Sequence, residues 1–523
     1  MKPLARPAHA SELKGFEHVT LRSGERRTVS FPAGFAQAKF WKGGGWVAAV
    51  GLLLSHLAVA AGTAFVPDGR VNSDDYTVLM AVDARLSSGL VPFQPGGQSK
   101  FYIQGWKRPD QQAEWTLRAA APDEYEVFVV IRRDNRQPLR LEVSAAGKTV
   151  ATTFPADALR WWERLRLEGL LALPAGESAV TLRILTADGA ASFDAQVHAV
   201  EIVRPSVRAE LTKRALALRA DPTWFQNARY GVMVHWTKES APLQGEPKPY
   251  DQAVAAFDVE TFADQMKRTG AGFVVFTTAH AWQYFPAPLA ALDKVLSGRT
   301  SRRDLVADLA EALGRRDLKL MLYYHLGSGS DPAWMQASGN LETDTARLFA
   351  IWRDIISEAG TRYQDRLAGW WFDDGSTGYY YRSAPWEPLA RAAKAGYAQR
   401  LVAFNAWELI NPTQFHDFCT GEGCQEPRGF CGLLTPDGDG RYPAGTHAGL
   451  QASACLITER EWGHFRRHTP LSQPKWNVDQ LTALLKGFIA CRNVPIFNLE
   501  ITQDGRLSPL TLEIFEQARK NLK

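Results

Sequence analysis

The chain lacks any strong charge imbalance: 60 Lys and Arg against 56 Asp and Glu leave a formal net charge of +4 over 523 residues. It has no dense basic run with interleaved aromatics, which argues against a nucleic-acid partner. No GxGxxG follows a strand-like run and no P-loop occurs, so the usual signatures of dinucleotide and nucleoside-triphosphate sites are missing. Cysteine is scarce, with five residues. Cys419, Cys424 and Cys431 cluster behind His416, but the spacing is not a CxxC pair and the segment is rich in Gly and Pro. A local disulfide is expected there rather than zinc. The odd count leaves at least one thiol free or paired outside the chain.

A long apolar run does occur, at residues 46–61, broken only by Ser55 and His56. Lys39 and Lys42 precede it and small residues follow it at 58–62. That is the layout of a secretory signal. The run is short for a membrane span, although counting on to Val66 makes an uncleaved signal anchor. No cysteine follows the cleavage region, which argues against a lipoprotein anchor. The expectation is an exported protein, periplasmic or extracellular, with no stable membrane span unless the signal stays uncleaved. Residues 1–45 resemble neither a domain nor an ordinary n-region, so a true start downstream of Met1 is expected.

The length calls for two or three domains, and a hydrophobic fraction of 45% supplies their cores. Seventeen Trp is a high count, and Trp both packs cores and stacks on the apolar faces of sugar rings. Three regions are expected: an extension with signal over 1–69, a β module over 70–207 and an α/β region over 208–523. In the β module, short alternating runs at 126–131, 139–143, 150–152, 179–185 and 199–203 are separated by turn residues such as Ala146-Gly147 and Asp188-Gly189. That spacing predicts an antiparallel β-sandwich. With Trp115-Thr116-Leu117 and Trp161-Trp162, the order resembles the galactose-binding-like jelly rolls found as carbohydrate-binding modules.

From residue 222 the period alternates between strand and helix. Strands are expected at 231–236, 272–277, 318–324, 368–372, 401–404 and 494–497. Helices between them are expected to start at Asp258, at a Ser301/Asp304 capping box, at Thr343, at Pro388 and at Val478, with a last one over 508–522. Roughly 300 residues of such repeats fit a (β/α)8 barrel; a doubly wound open sheet is the alternative.

In a barrel, catalytic groups stand at the C-terminal ends of strands. There the sequence places His235 and Trp236, then His280 with Trp282, then Tyr323, Tyr324 and His325. Asp373 and Asp374, Asn405 with Trp407, and Asp417 and Glu422 follow. The set suits a neutral polyhydroxylated ligand: His and Asn donate and accept, while Trp and Tyr supply faces. It lacks the Lys and Arg cluster that a phosphorylated substrate demands. No cofactor and no metal are expected. A glycosidic bond breaks between two carboxyl groups. Asp373, delivered by the apolar run 367–372, is the candidate nucleophile; Glu422, in a more mobile loop, is the candidate acid/base, with Glu408 and Glu426 as competitors. An Asp-Gly pair such as Asp374-Gly375 is also an ordinary turn signal.

Together these residues resemble the α-L-fucosidases of glycoside hydrolase family 29. Tyr230-Gly231-Val232-Met233-Val234-His235-Trp236 is similar to that family's F-G-x-F-x-H-W strand, whose His contacts the sugar. Thr277-Thr278-Ala279-His280, Arg303-Asp304-Leu305-Val306 and Leu322-Tyr323-Tyr324 are similar to later motifs of the family. Trp371-Phe372-Asp373-Asp374-Gly375 resembles W-F-D-G, which implies Asp373 over Asp374 as nucleophile. The segment from Asp417 to Glu422 resembles D-F-x-T-x-E, which implies Glu422 as acid/base. Glu461-Trp462-Gly463-His464 and Asn498 with Gln503-Asp504-Gly505 complete the series. The chain departs from the pattern at Ala281, at Trp282-Gln283, at Ala406-Trp407 and at His325, which stands where the motif has Ser. The β module is N-terminal, whereas the family's usual sandwich follows the barrel.

The resemblance implies a retaining glycosidase acting on terminal α-L-fucosides or a related sugar. Its sugar site comprises His235, Trp236, His280, Trp282, Tyr324, Asp374, Asn405 and Trp407, and its partner is a glycan or glycoside. The alternatives are a glycosidase for a different sugar and a non-catalytic glycan-binding surface protein on a barrel scaffold.

Overall fold

A computed structural model describes residues 70–71, 76–93, 102–133, 138–155, 162–186, 195–327, 330–339, 346–373, 384–405, 413–421, 439–442 and 449–522. The signal-like run, Asp374, Trp407, Glu408, Glu422, Cys424, Glu426 and Cys431 lie outside them. Thr63–Lys523 form one compact unit.

The N-terminal part is a sandwich of two sheets, antiparallel apart from one two-residue parallel pairing. In one sheet Gln112–Ala119 pairs with Gly176–Thr186, which pairs with Leu139–Ala145 and on to Lys148–Phe154. In the other, Asp123–Arg133 and Ala195–Val203 form the central pair. Strict alternation drives the arrangement. Tyr125, Val127, Val129 and Ile131 face a shared core with Leu139, Leu141 and Val143 from the opposite sheet.

The helix α1 (Pro205–Leu218) joins the sandwich to the α/β part. Arg204 and Arg208 at its start pair with Asp123 and Glu126 of the sandwich. Arg214 near its end pairs with Glu387 of the barrel. The expected boundary at 207/208 therefore falls inside a helix tied at both ends.

Eight parallel strands follow: β1 (Gly231–Val234), β2 (Phe273–Ala279), β3 (Lys319–His325), β4 (Leu367–Asp373), β5 (Leu401–Phe404), β6 (Phe418–Cys419), β7 (Gln451–Ile457) and β8 (Val494–Leu499). Their order is β5-β4-β3-β2-β1-β8-β7-β6. The seam between β5 and β6 is closed by one main-chain bond and by the side chains of Asp417 and His416. Asp417 N–H donates to the Val402 carbonyl at 2.8 Å, and Val402 N–H donates to Asp417 Oδ2 at 2.7 Å. Phe404 N–H donates to His416 Nδ1 at 3.1 Å. Lys394 completes the knot, with its ammonium 2.7 Å from Asp417 Oδ2. His416 and Asp417 thus build the wall of the barrel. The protein is a (β/α)8 barrel preceded by a β-sandwich.

The outer layer holds α2 (Val259–Thr269), α3 (Leu305–Gly314), α4 (Ala346–Tyr363), α5 (Trp386–Ala393), α6 (Val478–Ala490) and α7 (Pro509–Lys520), with shorter helices between. Asp258 caps α2 by accepting from Thr261 N–H, and Gly270 ends it at φ 78°, a left-handed conformation open to glycine. The cap of α3 is Asp304 alone, accepting from Ala307 N–H. Ser301 donates instead to the Arg303 carbonyl, so the expected capping box does not form. Arg400 is fully buried, and its guanidinium donates to the carbonyls of Leu367, Ala393, Ala395, Gly360 and Gln364. It satisfies orphan carbonyls at the C-terminal ends of α4 and α5, where a positive charge also suits the helix dipole.

Alternation along the strands sorts every side chain to one of two layers. Val232, Val234, Val274, Phe276, Leu322, Trp370 and Phe372 face the helices. Met233, Phe273, Val275, Met321, Tyr323, Trp371 and Ala403 fill the barrel interior. Gly231 and Gly369 belong to the inner set. A Cβ on Gly231 would stand 2.2 Å from the Phe273 ring, and one on Gly369 would stand 2.6 Å from Met321 Cε. Small residues thus make room for the bulky inner ones.

Candidate active site

Counting by two from the inner residues gives the groups that ring the open end. Met233 leads to His235, Tyr323 to His325, Trp371 to Asp373, Ala403 to Asn405 and Ile496 to Asn498. β2 breaks this count, and a bulge corrects it. Thr277 pairs with Tyr323, but Ala279, not Thr278, pairs with Tyr324. The extra residue turns Ala279 to the helix side and brings His280 to the inner side, beside His325.

Asp373 is the centre of the ring and is 4% exposed. The Tyr323 hydroxyl donates to its Oδ2 at 2.5 Å, and Asn405 Nδ2 donates to its Oδ1 at 2.9 Å. His325 Nε2 lies 3.9 Å from Oδ2. Burial alone would push this carboxyl up. His325, the Tyr323 and Asn405 hydrogen bonds and His280 outweigh it and hold Asp373 below the usual carboxylate range. Beneath the site, the Tyr323 ring stacks on Trp371 at 5.1 Å between centroids and 17° between planes.

His235 meets the rings of His280 at 5.5 Å, Tyr323 at 4.8 Å and Trp462 at 4.8 Å. Its Nδ1 lies 2.8 Å from Asn498 Oδ1, while Asn498 Nδ2 donates to the Trp462 carbonyl. With the amide oriented that way, Nδ1 carries the proton and Nε2 keeps the lone pair. Burial, reinforced by His280, holds His235 down to about 3; burial and then His325 hold His280 to about 4. Burial also lowers His325. At neutral pH the Asp373 carboxylate therefore has two uncharged imidazoles, His235 and His280, in its ring.

The structure brings together His235, His280, Asp373 and Asn405 from the sequence-derived set. Trp282 stands half-buried beyond β2, with the Lys238 ammonium 4.1 Å from its ring centroid. Two assignments are corrected. Trp236 is 1% exposed on the helix side of the wall, packed on Phe257 and Phe276, with its Nε1 donating to the Gln503 carbonyl. Tyr324 is fully buried in the same outer layer. Each follows an inward-facing residue by one position, so the strand's period of two turns it away from the site. Tyr323, His325, Asn498 and Trp462 belong to the site instead. The signal for the first three was available as a count of two from the inner residues. Trp462 arrives on a loop and is held through the Asn498 amide.

Asp374, Trp407 and Glu422 lie outside the described residues. Gly421, just before Glu422, is anchored: its carbonyl accepts from Cys455 N–H at 3.0 Å. Cys419 and Cys455 are buried in β6 and β7. The local disulfide expected within the Cys419, Cys424 and Cys431 cluster does not engage Cys419, whose sulfur is a thiol; Cys424 and Cys431 lie outside the described residues.

Residues 249–428 match the family model described as alpha-L-fucosidase. Tissue alpha-L-fucosidase of Homo sapiens is 27% identical over 203 residues, which is 33% of this chain and 42% of that protein. The chain thus spans less than half the length of that curated relative. Alpha-L-fucosidase of Branchiostoma floridae is 24% identical over 349 residues, 59% of this chain and 71% of that protein. Among solved structures, an alpha-L-fucosidase GH29 from Bacteroides thetaiotaomicron superposes with TM-score 0.42 and 17% identity, covering 58% of this chain and 74% of that one. Alpha-L-fucosidase from Lactobacillus casei, in complex with its α-L-fucose product, gives TM-score 0.41 and 17% identity over 57% of this chain and 97% of that one. Over the matched residues the chain is α-L-fucosidase-like, and that span contains His280, His325, Asp373 and Asn405.

Proposed function

We propose that the protein is a retaining glycosidase that hydrolyses terminal α-L-fucosides or a related sugar through a covalent glycosyl-enzyme, with Asp373 as nucleophile. The observation that carries this is the state of Asp373. It is a buried carboxylate held below its ordinary pKa at a strand's C-terminal end and aimed by two hydrogen bonds. A nucleophile must be ionised and oriented before the sugar arrives, and this one is. The tautomer of His235 leaves Nε2 to accept from a sugar hydroxyl, while Asn405 and Trp462 border the same space. Glu422 follows the anchored Gly421, and as acid/base it would protonate the leaving oxygen and then activate water.

The test is hydrolysis of 4-nitrophenyl α-L-fucoside by wild type and by Asp373→Gly, with and without azide. Turnover by wild type, its loss in the variant and its return with azide support the reading. Turnover confined to another aryl glycoside keeps the mechanism and replaces the sugar. No turnover of any glycoside by folded protein removes the reading.

The proposal extends to location. The signal-like run at 46–61 supports export, which N-terminal sequencing of the secreted protein tests; an intact N-terminus in the cytoplasm contradicts it. The jelly-roll order of the sandwich supports a sugar-binding role for that module, which calorimetric titration of the Asp373→Gly protein with a fucoside tests: two sites per chain support it. A single site per chain contradicts it.

A further inference from the structure

His280, His325 and Asp373 come from the ends of three adjacent strands, β2, β3 and β4. Each offers one ligand atom, and the three atoms lie within 4.8 Å of one another. The two imidazoles meet edge to face at 5.1 Å, and His325 Nε2 is 3.9 Å from Asp373 Oδ2. Two His and one carboxylate on a shared face form a common ligand set for a late first-row divalent cation, with a further position left for water. Metal–ligand bonds of about 2.0–2.1 Å require each atom to move inward by roughly 1 Å, within reach of side-chain rotation. The carboxylate already has the outer support such a site needs, from the Tyr323 hydroxyl and the Asn405 amide.

We propose that His280, His325 and Asp373 bind a zinc-type divalent cation, and that an occupied site withdraws Asp373 from the sugar. The binding half stands on the geometry alone; the inhibitory half rests on the glycosidase reading.

The test titrates Co2+ into the full chain and follows its visible ligand-field absorption, then displaces it with Zn2+. One cobalt per chain is expected in a low-coordinate nitrogen/oxygen site, displaced by Zn2+. Affinity should fall at least about tenfold in His280→Gln and in His325→Gln, and stay unchanged in the exposed-site control His468→Ala. Two separate His variants guard against one failing to fold, and circular dichroism checks each. Absence of binding, equal binding in the His variants, or a thiolate-to-cobalt charge-transfer band that places the metal on cysteine would overturn the proposal. With aryl glycoside as substrate, Zn2+ should inhibit competitively in wild type and lose potency at least tenfold in His325→Gln. Zinc that binds without inhibiting removes the second half. Failure of all glycoside turnover removes the function reading and leaves the cobalt result standing.

Discussion

Tyr323 and Tyr324 are neighbours in sequence and opposites in the fold, which makes them a sharp test. The Tyr323 hydroxyl donates to Asp373; Tyr323→Phe removes that bond and keeps the ring on Trp371 and His235. A hydrogen bond to a charged group contributes about 1.5–3 kcal/mol. At about 1.4 kcal/mol per pH unit, its loss raises the Asp373 pKa by roughly 1–2 units. The sign is fixed by the chemistry. Asp373 works ionised, so kcat/KM falls as pH drops through its pKa, and a higher pKa moves that acid limb upward. The assay is the pH profile of kcat/KM for an aryl glycoside, which reports the free enzyme. Tyr323→Phe should shift the acid limb up by roughly 1–2 pH units. Tyr324→Phe deletes a buried hydroxyl that has no hydrogen-bond partner among the described residues. It should leave the limb in place and leave stability equal or slightly higher. An unmoved limb in Tyr323→Phe, or an equal shift in Tyr324→Phe, would refute the assignment of faces and of the nucleophile's support.

Other expectations concern the scaffold. Arg400→Met strands the main-chain carbonyls that the guanidinium satisfies, at a cost of about 3 kcal/mol or more; calorimetry should show melting lowered by roughly 5 °C, and an unchanged transition would contradict this. Trp236→Phe loses the bond to Gln503 and should cost roughly 1–3 kcal/mol while KM stays within about twofold; a large KM effect without destabilisation would return Trp236 to the pocket. Glu459 is fully buried, and burial first, then the charge of Glu500, pushes its carboxyl up to about 7 despite bonds from Thr511 and Glu500 N–H. A carboxyl whose folded pKa exceeds its unfolded value near 4.5 gives its full stabilisation below that value and loses it as pH rises through about 7. Melting of wild type should therefore fall relative to Glu459→Gln between pH 5 and 8, by up to about 3 kcal/mol; a difference that is flat with pH would contradict it.

Much of the architecture was legible because local signals agreed with the global fold. Asp258 and Gly270 bracket α2 as their chemistry dictates. The apolar stripe of α6 ends where the chain turns, and Asn477 with Gln480 caps its start. Other elements escaped detection for physical reasons. β7 reads Gln-Ala-Ser-Ala-Cys-Leu-Ile, with small residues suited to a crowded barrel interior and little of the β-branched signature of a strand. β6 has two residues and is held largely by the Asp417 knot, which no periodicity reveals. At the site, strand ends were legible but faces were not. Tyr324 and Trp236 carry attractive chemistry on the wrong parity, and His280 reaches the right face only through a bulge that leaves no mark in the sequence. The convergence of His280 and His325 on Asp373 is a product of three strands in register, so a reading that looks for ligands close in sequence misses it.

The mechanism turns on the attack of Asp373 on the sugar. Incubation with a 2-fluoro-fucosyl fluoride, followed by proteolysis and mass spectrometry, tests it most directly, because the fluorine slows release of the glycosyl-enzyme. One fluorofucosyl increment is expected on the peptide that contains Asp373, and none in Asp373→Asn. A label on any other residue, or turnover with inversion and no adduct, would contradict it.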